Sequence, residues 1–168
     1  MQRRTLLQLG VASAVVLTMA GGAAALLQAG LKNGELSLSG REVFRAVGRG
    51  VLQGSLPADA ATRQTALDAL LDRIDELTAA LPPHAQDELS QLLALLASPP
   101  GRLALAGLSQ AWSLASEAQV QQALQGMRFS ALALRQQAYA ALHDITAAAY
   151  FTDSATWSQL GYPGPQRI

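Results

Sequence analysis

The sequence contains no cysteine and only two histidines, His84 and His143. Disulfides, iron–sulfur clusters and thiolate zinc sites are therefore excluded, and a metal or haem site built from histidines is not expected. Because the formal net charge is zero, no basic excess favours nucleic acid as a partner. Aromatic residues make up only 5%, whereas half of the residues are apolar, with alanine and leucine dominant. This composition predicts packed helices and indicates that no cofactor or metal is held in this chain.

Charge is also absent from Thr5 to Leu31, between Arg4 and Lys32. About 20 apolar residues span the hydrocarbon layer of a membrane, so residues 1–31 are predicted to be a signal peptide or a membrane anchor. The small residues Ala23-Ala24-Ala25 offer an A-x-A cleavage site. The apolar run continues to Leu31, however, which is long enough to stay in the bilayer. Cleavage after Ala25 and retention as an anchor are both open.

Two adjacent arginines begin this leader, in the run Gln2-Arg3-Arg4-Thr5-Leu6-Leu7-Gln8. It resembles the twin-arginine export signal, Ser/Thr-Arg-Arg-x-Phe-Leu-Lys, with departures at Gln2, Leu6 and Gln8. The resemblance implies the twin-arginine translocase as a partner and export of an already folded protein to the periplasm. The alternative is an ordinary signal or anchor that starts with two arginines.

The rest of the chain predicts an all-α fold. Residues 32–38 are predicted to be a polar linker, and residues 39–152 a small irregular bundle of about five to seven helices. The run Ser39-Gly40-Arg41-Glu42 predicts a capping box at the first helix. Apolar spacings of three and four residues place further helices at about 58–81, 83–98, 102–108, 116–126 and 127–151. The short turn at Pro82-Pro83 predicts that the two helices it joins lie roughly antiparallel.

Charged side chains form two rows on these helices. The first row is Arg41, Arg45 and Arg49, spaced four apart, which suggests either a solvated face or a contact with phosphate or lipid heads. The second is the acidic face of the next helix, with Asp68, Asp72, Asp75 and Glu76, and we expect it to be hydrated. Gly48, Gly50 and Gly54 either weaken the first helix or let another backbone approach it.

A hydrolase site is not expected from Ser130, His143 and Asp144. His143 and Asp144 are neighbours on one helix and point about 100° apart, while Ser130 lies more than three turns away. There is also no G-x-S-x-G elbow in the sequence. His143 is predicted to be a partly buried structural residue.

The C-terminal segment, residues 153–168, is predicted to be a short helix followed by an extended tail, because Tyr162-Pro163-Gly164-Pro165 forms no regular element. The pattern Tyr150-Phe151-x-Asp153…Trp157-x-x-x-Gly161-Tyr162-Pro163-Gly164-Pro165 follows a leader and a helical body. This arrangement resembles the gluconate 2-dehydrogenase subunit 3-like family, the small subunits of membrane-associated flavin dehydrogenases. The likeness covers most of the chain in layout and is specific only at its two ends.

That resemblance implies a non-catalytic subunit. In the family, the small subunit carries a large FAD-dependent oxidoreductase of the GMC type through export, often onward to a cytochrome c subunit. FAD is then expected in the partner, at the periplasmic face of the inner membrane. The alternatives are a stand-alone exported protein that binds a lipid or small apolar ligand, an envelope scaffold, and, least expected, an enzyme.

Such a role needs an interface, for which aromatic side chains are the usual anchors. The predicted partner interface consists of Trp112, Tyr139, Tyr150, Phe151, Trp157, Tyr162, Pro163 and Pro165. The residues predicted to direct export are Arg3, Arg4, Leu6 and Leu7. For Trp112 and Tyr139 the alternative is a place in the core. The substrate and electron acceptor of the partner are not specified by the sequence.

Overall fold

The computed structural model describes residues 28–161, without the side chains of residues 158–160. Within this range, a β-hairpin precedes six α-helices and one 3-10 helix. The elements are β1 (Leu31–Lys32), β2 (Glu35–Leu36), α1 (Leu38–Val51), α2 (Ala60–Ala79), α3 (Pro83–Ala97), α4 (Pro99–Ala106), α5 (Glu117–Arg128), α6 (Ala133–Phe151) and the 3-10 helix (Ser154–Leu160). The predicted all-α character of the body is confirmed. The predicted signal helix up to residue 27 and the tail from residue 162 lie outside the described residues.

Helix α1 is the centre of the body, because α2, α3, α5 and α6 all pack against it. Two glycines of α1 allow close packing. A Cβ atom on Gly48 would lie 2.9 Å from Cδ2 of Leu70, and one on Gly50 would lie 2.9 Å from Cγ1 of Val120. These glycines therefore admit side chains from α2 and α5, which is how they offset their low helix propensity.

The segment predicted as a linker, residues 32–38, instead contributes to the β-hairpin and the start of α1. Its turn, Asn33-Gly34, has positive φ at both residues (55° and 85°), as a two-residue type I′ turn requires. The two strands place Leu31 opposite Leu36, and both side chains are buried. Burial of this pair against the helices explains why the segment is folded.

The first helix begins two residues earlier than the predicted capping box at Ser39. The N-cap is Ser37, whose Oγ accepts a hydrogen bond from the Gly40 amide at 3.2 Å. Glu42 does not reach back to the cap, since its carboxylate accepts a hydrogen bond from the Ser113 amide at 3.1 Å. Both serines suit a cap chemically, and the hairpin decides between them by bringing Ser37 to the helix start.

The last long helix begins at Ala133 rather than at Met127. Helix α5 continues through Gly126, because burial of Met127 outweighs the roughly 1 kcal/mol helix penalty of a glycine. The chain then leaves the helix in a loop where Ser130 Oγ accepts a hydrogen bond from the Leu132 amide at 3.1 Å. Serine competes with helix formation through such local hydrogen bonds.

Helices α2 and α3, which were predicted to lie roughly antiparallel, do not pack mainly against each other. Helix α2 packs on α1, α6 and β2, whereas α3 packs on α1, α4 and β1.

Arginine side chains join several helix ends to neighbouring elements by donating to backbone carbonyls. Arg73 Nε donates to the Ala149 carbonyl near the end of α6 at 2.8 Å, and Arg135 Nε donates to Leu105 near the end of α4 at 2.7 Å. Arg102, which is buried, donates to the last carbonyl of α3 at 3.3 Å. A cation at a helix C-terminus also favours the negative end of the helix dipole.

Candidate functional site

The predicted interface residues occupy different environments. Trp112 and Tyr150 are buried, Tyr139 and Trp157 are half-buried, and Phe151 is 38% exposed. The export residues Arg3, Arg4, Leu6 and Leu7 and the tail residues Tyr162, Pro163 and Pro165 lie outside the described residues. The structure therefore does not bring the described members together on one surface.

Trp112 belongs to the core, which corrects its assignment to a partner interface. Its side chain is 1% exposed, and Nε1 donates to the Leu96 carbonyl at 2.7 Å. In a continuing helix that carbonyl would accept from the amide of residue 100, but Pro100 has no amide hydrogen. The indole takes its place, so Trp112 satisfies a buried acceptor that the proline leaves open.

Tyr150 is likewise a structural residue rather than a surface anchor. It is 6% exposed, and its hydroxyl donates to the Ser55 carbonyl at 3.1 Å. Its ring packs edge-on to Phe151, with the centroids 5.2 Å apart. Tyr150 thereby holds the end of α6 against the loop between α1 and α2.

The C-terminal signature also fixes the 3-10 helix to the body. Asp153 lies 3.5 Å from Nη1 of Arg73, which itself holds the end of α6. The Thr156 hydroxyl hydrogen-bonds to the Asp153 carbonyl at 2.7 Å, and Trp157 Nε1 donates to the Phe151 carbonyl at 2.8 Å. These contacts account for the aromatic-x-Asp…Trp spacing, because the last backbone carbonyls of α6 need hydrogen-bond donors from outside the helix.

The arginine row of α1 is mostly paired with the acidic face of α2. Arg41 forms ion pairs with Asp72 and Asp75, and Arg45 with Asp68 at 2.7 Å. Among the causes acting on Asp68, the Arg45 hydrogen bond is the largest, and it lowers the pKa of this carboxyl. The acidic face was expected to be hydrated, and the arginine row either to be solvated or to contact phosphate or lipid heads. The structure shows instead that Arg41 and Arg45 pair with that acidic face.

A groove of about 400 Å³ lies along the arginine row. Two guanidinium nitrogens there, Nη1 of Arg45 and Nε of Arg49, are buried without a protein hydrogen-bond partner. Four carboxylates around the groove, however, outnumber its three arginines: Glu42 lines it, and Asp68, Asp72 and Asp75 pair with its arginines. The groove therefore lacks the positive excess that would select an anion.

The corner between α5 and α6 carries a second aromatic cluster, of which only Tyr139 was predicted to lie at an interface. We call it the corner patch and define it as Arg128, Phe129, Leu132, Tyr139 and His143. Phe129 is 75% exposed and Leu132 is 63% exposed. The Arg128 guanidinium carbon lies 5.2 Å from the Phe129 ring centroid and 6.0 Å from that of Tyr139. Tyr139 in turn stacks on His143 at 5.4 Å.

The corner patch has the chemistry of an interaction surface. Exposed aromatic rings and arginine are the side chains enriched at protein interfaces, and here they form one continuous cluster. Its signal in the sequence was the pair Arg128-Phe129 beside a loop. That signal was lost because residues 127–132 were assigned to a helix.

Ser130, His143 and Asp144 do not form a hydrolase triad. His143 Nδ1 lies 3.1 Å from Asp144 Oδ1, so the two neighbours do contact each other, against the expectation that they point apart. The His143 side chain is 41% exposed, which agrees with its predicted partial burial, whereas Asp144 is 75% exposed. Ser130 lies in the loop before α6, where its hydroxyl is used by the Leu132 amide.

Two properties of the described range bear on ligands and membranes. No group of three or more His, Cys, Asp or Glu side chains within residues 28–161 is arranged to hold a metal ion. In the same range, no helix combines the length and the apolar character that a membrane crossing needs.

Comparisons of the chain with protein-family models, with curated proteins and with solved structures found no match.

Proposed function

We propose that this chain is a non-catalytic small subunit that escorts a folded, FAD-loaded oxidoreductase of the GMC type through twin-arginine export. It then stabilises that enzyme at the periplasmic face of the inner membrane, with its own leader either cleaved or retained as an anchor. A cytochrome c subunit is a further partner. The proposal draws on the Arg3-Arg4 leader and on the C-terminal signature, both described above from the sequence.

The observation that carries the proposal is the corner patch. An escort must hold its cargo by a surface, and the patch offers an exposed Phe129 ring flanked by an arginine and by a second apolar side chain, Leu132. Stable pairing buries about 1,600 Å² in total, with a few aromatic and arginine anchors supplying most of the affinity. The patch would supply those anchors.

Co-purification tests the pairing. The full chain with an affinity tag is expressed together with its neighbouring genes, and the bound flavin is measured by its fluorescence after release. We expect a flavoprotein to accompany the tagged chain. A chain that returns alone, while dehydrogenase export is unchanged on its deletion, would contradict the escort function and favour a stand-alone exported protein or scaffold.

Substitution at the patch tests the surface. Phe129→Ala is expected to weaken pairing at least about 10-fold, or about 1.4 kcal/mol, because it removes the most exposed ring of the cluster. The matched control is Leu114→Ala, since Leu114 is 74% exposed but lies in the loop before the opposite end of α5. The free energy of unfolding of both variants should lie within about 0.5 kcal/mol of the wild-type value, as is usual for surface substitutions. Equal affinity of the two variants would exclude the corner patch as the anchor.

A further inference from the structure

The chain becomes part of the folded body at Gly30, so the last two residues of the predicted leader (residues 1–31) belong to the body instead. The Gly30 amide donates to the Ser90 carbonyl at 3.2 Å, and the Gly30 carbonyl accepts from the Ser37 amide at 3.0 Å. The next amide, that of Leu31, donates to Ser90 Oγ at 3.1 Å. Successive backbone groups on both sides of residue 30 are therefore bonded to α3 and to the start of α1.

Packing at this point is as tight as the hydrogen bonding. A Cβ atom on Gly30 would lie 2.3 Å from Cβ of Leu93, and one on Gly40 would lie 2.5 Å from the Gly30 carbonyl oxygen. These distances mean that α1 and α3 approach the backbone of residue 30 directly. The body leaves no room for the chain to detach here without a local rearrangement.

The hairpin that follows is fixed in the same way. The Leu36 amide donates to Asp75 Oδ1 of α2 at 2.7 Å, and Leu31 and Leu36 are each only 7% exposed. Where the sequence predicted a polar linker, the structure has a folded hairpin. Residues 30–37 therefore do not act as a flexible linker between the body and the residues that precede Gly30.

This geometry bears on the cleavage site predicted at Ala23-Ala24-Ala25. Residues 26–29 separate Ala25 from Gly30, and such a segment spans at most about 14 Å when fully extended. Proteolysis needs an exposed segment whose backbone is free of hydrogen bonds, and in export of a folded protein the body is already formed when the peptidase acts. Only this short segment therefore separates the bond after Ala25 from the folded body, which limits the extended backbone that a peptidase can engage there.

We propose that the leader is retained, and that it serves as a short membrane anchor which holds the body directly against the periplasmic surface of the inner membrane. This inference rests on the proposed export function. The apolar stretch from Thr5 to Ala29 exceeds the about 20 residues that a membrane span needs, so the last residues of the run can belong to the body without shortening the anchor.

The test compares the intact mass and the location of three forms of the full chain, each expressed with its neighbouring genes. The first is wild type. The second carries a flexible insertion of about ten Gly and Ser residues between Gln28 and Ala29, which spans about 16 to 19 Å on average. The third carries the same insertion together with Ala25→Leu, which blocks the A-x-A site.

We expect wild type to keep its leader and to stay with the membranes after an alkaline carbonate wash. The insertion variant should lose residues 1–25 and be released to the periplasm, while the blocked variant should again stay intact. Wild type cut after Ala25 would overturn the proposal. An insertion variant that stays uncut would refute shielding by the body as the cause. Because mass is read separately from flavin, failure of the anchor and failure of the escort function are distinguishable.

Discussion

Replacement of Trp112 by phenylalanine should lower the folding stability of the body itself, because Trp112 lies in the core and not at a partner interface. The indole is 1% exposed and supplies the hydrogen bond that Pro100 denies to the Leu96 carbonyl. A phenyl ring keeps most of the apolar contact but cannot donate. The substitution therefore separates the hydrogen bond from gross loss of packing.

The magnitude follows from two effects. A buried carbonyl left without a donor costs about 1–3 kcal/mol. The smaller ring adds about 1 kcal/mol if about 40 Å³ stays empty, at roughly 24 cal/mol per Å³. We expect a total loss of about 2–4 kcal/mol, which is a large part of the 5–15 kcal/mol by which domains are typically stable.

Urea denaturation followed by helical circular dichroism measures this loss. The midpoint should fall while the slope with urea stays constant, because the folded state keeps its overall extent of burial. Leu114→Ala, two residues along the same loop but exposed, should change stability by no more than about 0.5 kcal/mol. A Trp112→Phe variant as stable as wild type, but weakened in partner binding, would refute the assignment of Trp112 to the core.

Two further predictions concern stability. Gly30→Ala should lower the free energy of unfolding by about 1–3 kcal/mol, because its Cβ meets buried atoms on α3. Gly126→Ala should raise it by about 0.5–1 kcal/mol, because alanine favours the helix and the nearest contact is the flexible end of Arg135 at 3.6 Å. Equal denaturation midpoints of the two variants would contradict this. Asp68→Asn should cost less than about 1 kcal/mol at pH 7, because this exposed carboxylate pairs with Arg45. Because the pKa of Asp68 is lowered, its stabilisation is present above about pH 4 and is lost as the pH falls through the lowered value. The denaturation midpoints of wild type and Asp68→Asn should therefore converge in acid and differ at neutral pH.

The helices could be predicted from the sequence, because apolar spacing specifies them. The helix predicted from about residue 116, for example, starts in the structure at a capping box formed by Ser116 and Gln119. The start of α1 could not be chosen on local grounds, since Ser37 and Ser39 are equally suitable and a distant contact with Gly30 separates them. The Asn33-Gly34 turn carried a hairpin signal that the assignment to a linker passed over.

The candidate site was less accessible to prediction, because residue type does not report burial. Trp112 and Tyr150 have the side chains of interface anchors, yet one completes the end of α3 and the other closes α6 against a loop. Phe129, by contrast, is exposed only because α5 ends at Arg128 and the chain turns. Its exposure depends on a helix boundary, which is the feature that sequence patterns locate least well.

The escort function is tested most directly by where the flavoprotein is found. Cells that lack this chain are supplied with wild type or with the variant in which Arg3-Arg4 is Lys-Lys, and flavin-bound dehydrogenase is measured in the periplasmic and cytoplasmic fractions. The account predicts periplasmic flavoprotein with wild type, and both subunits retained in the cytoplasm with the variant. Flavoprotein that reaches the periplasm equally in both strains would contradict it.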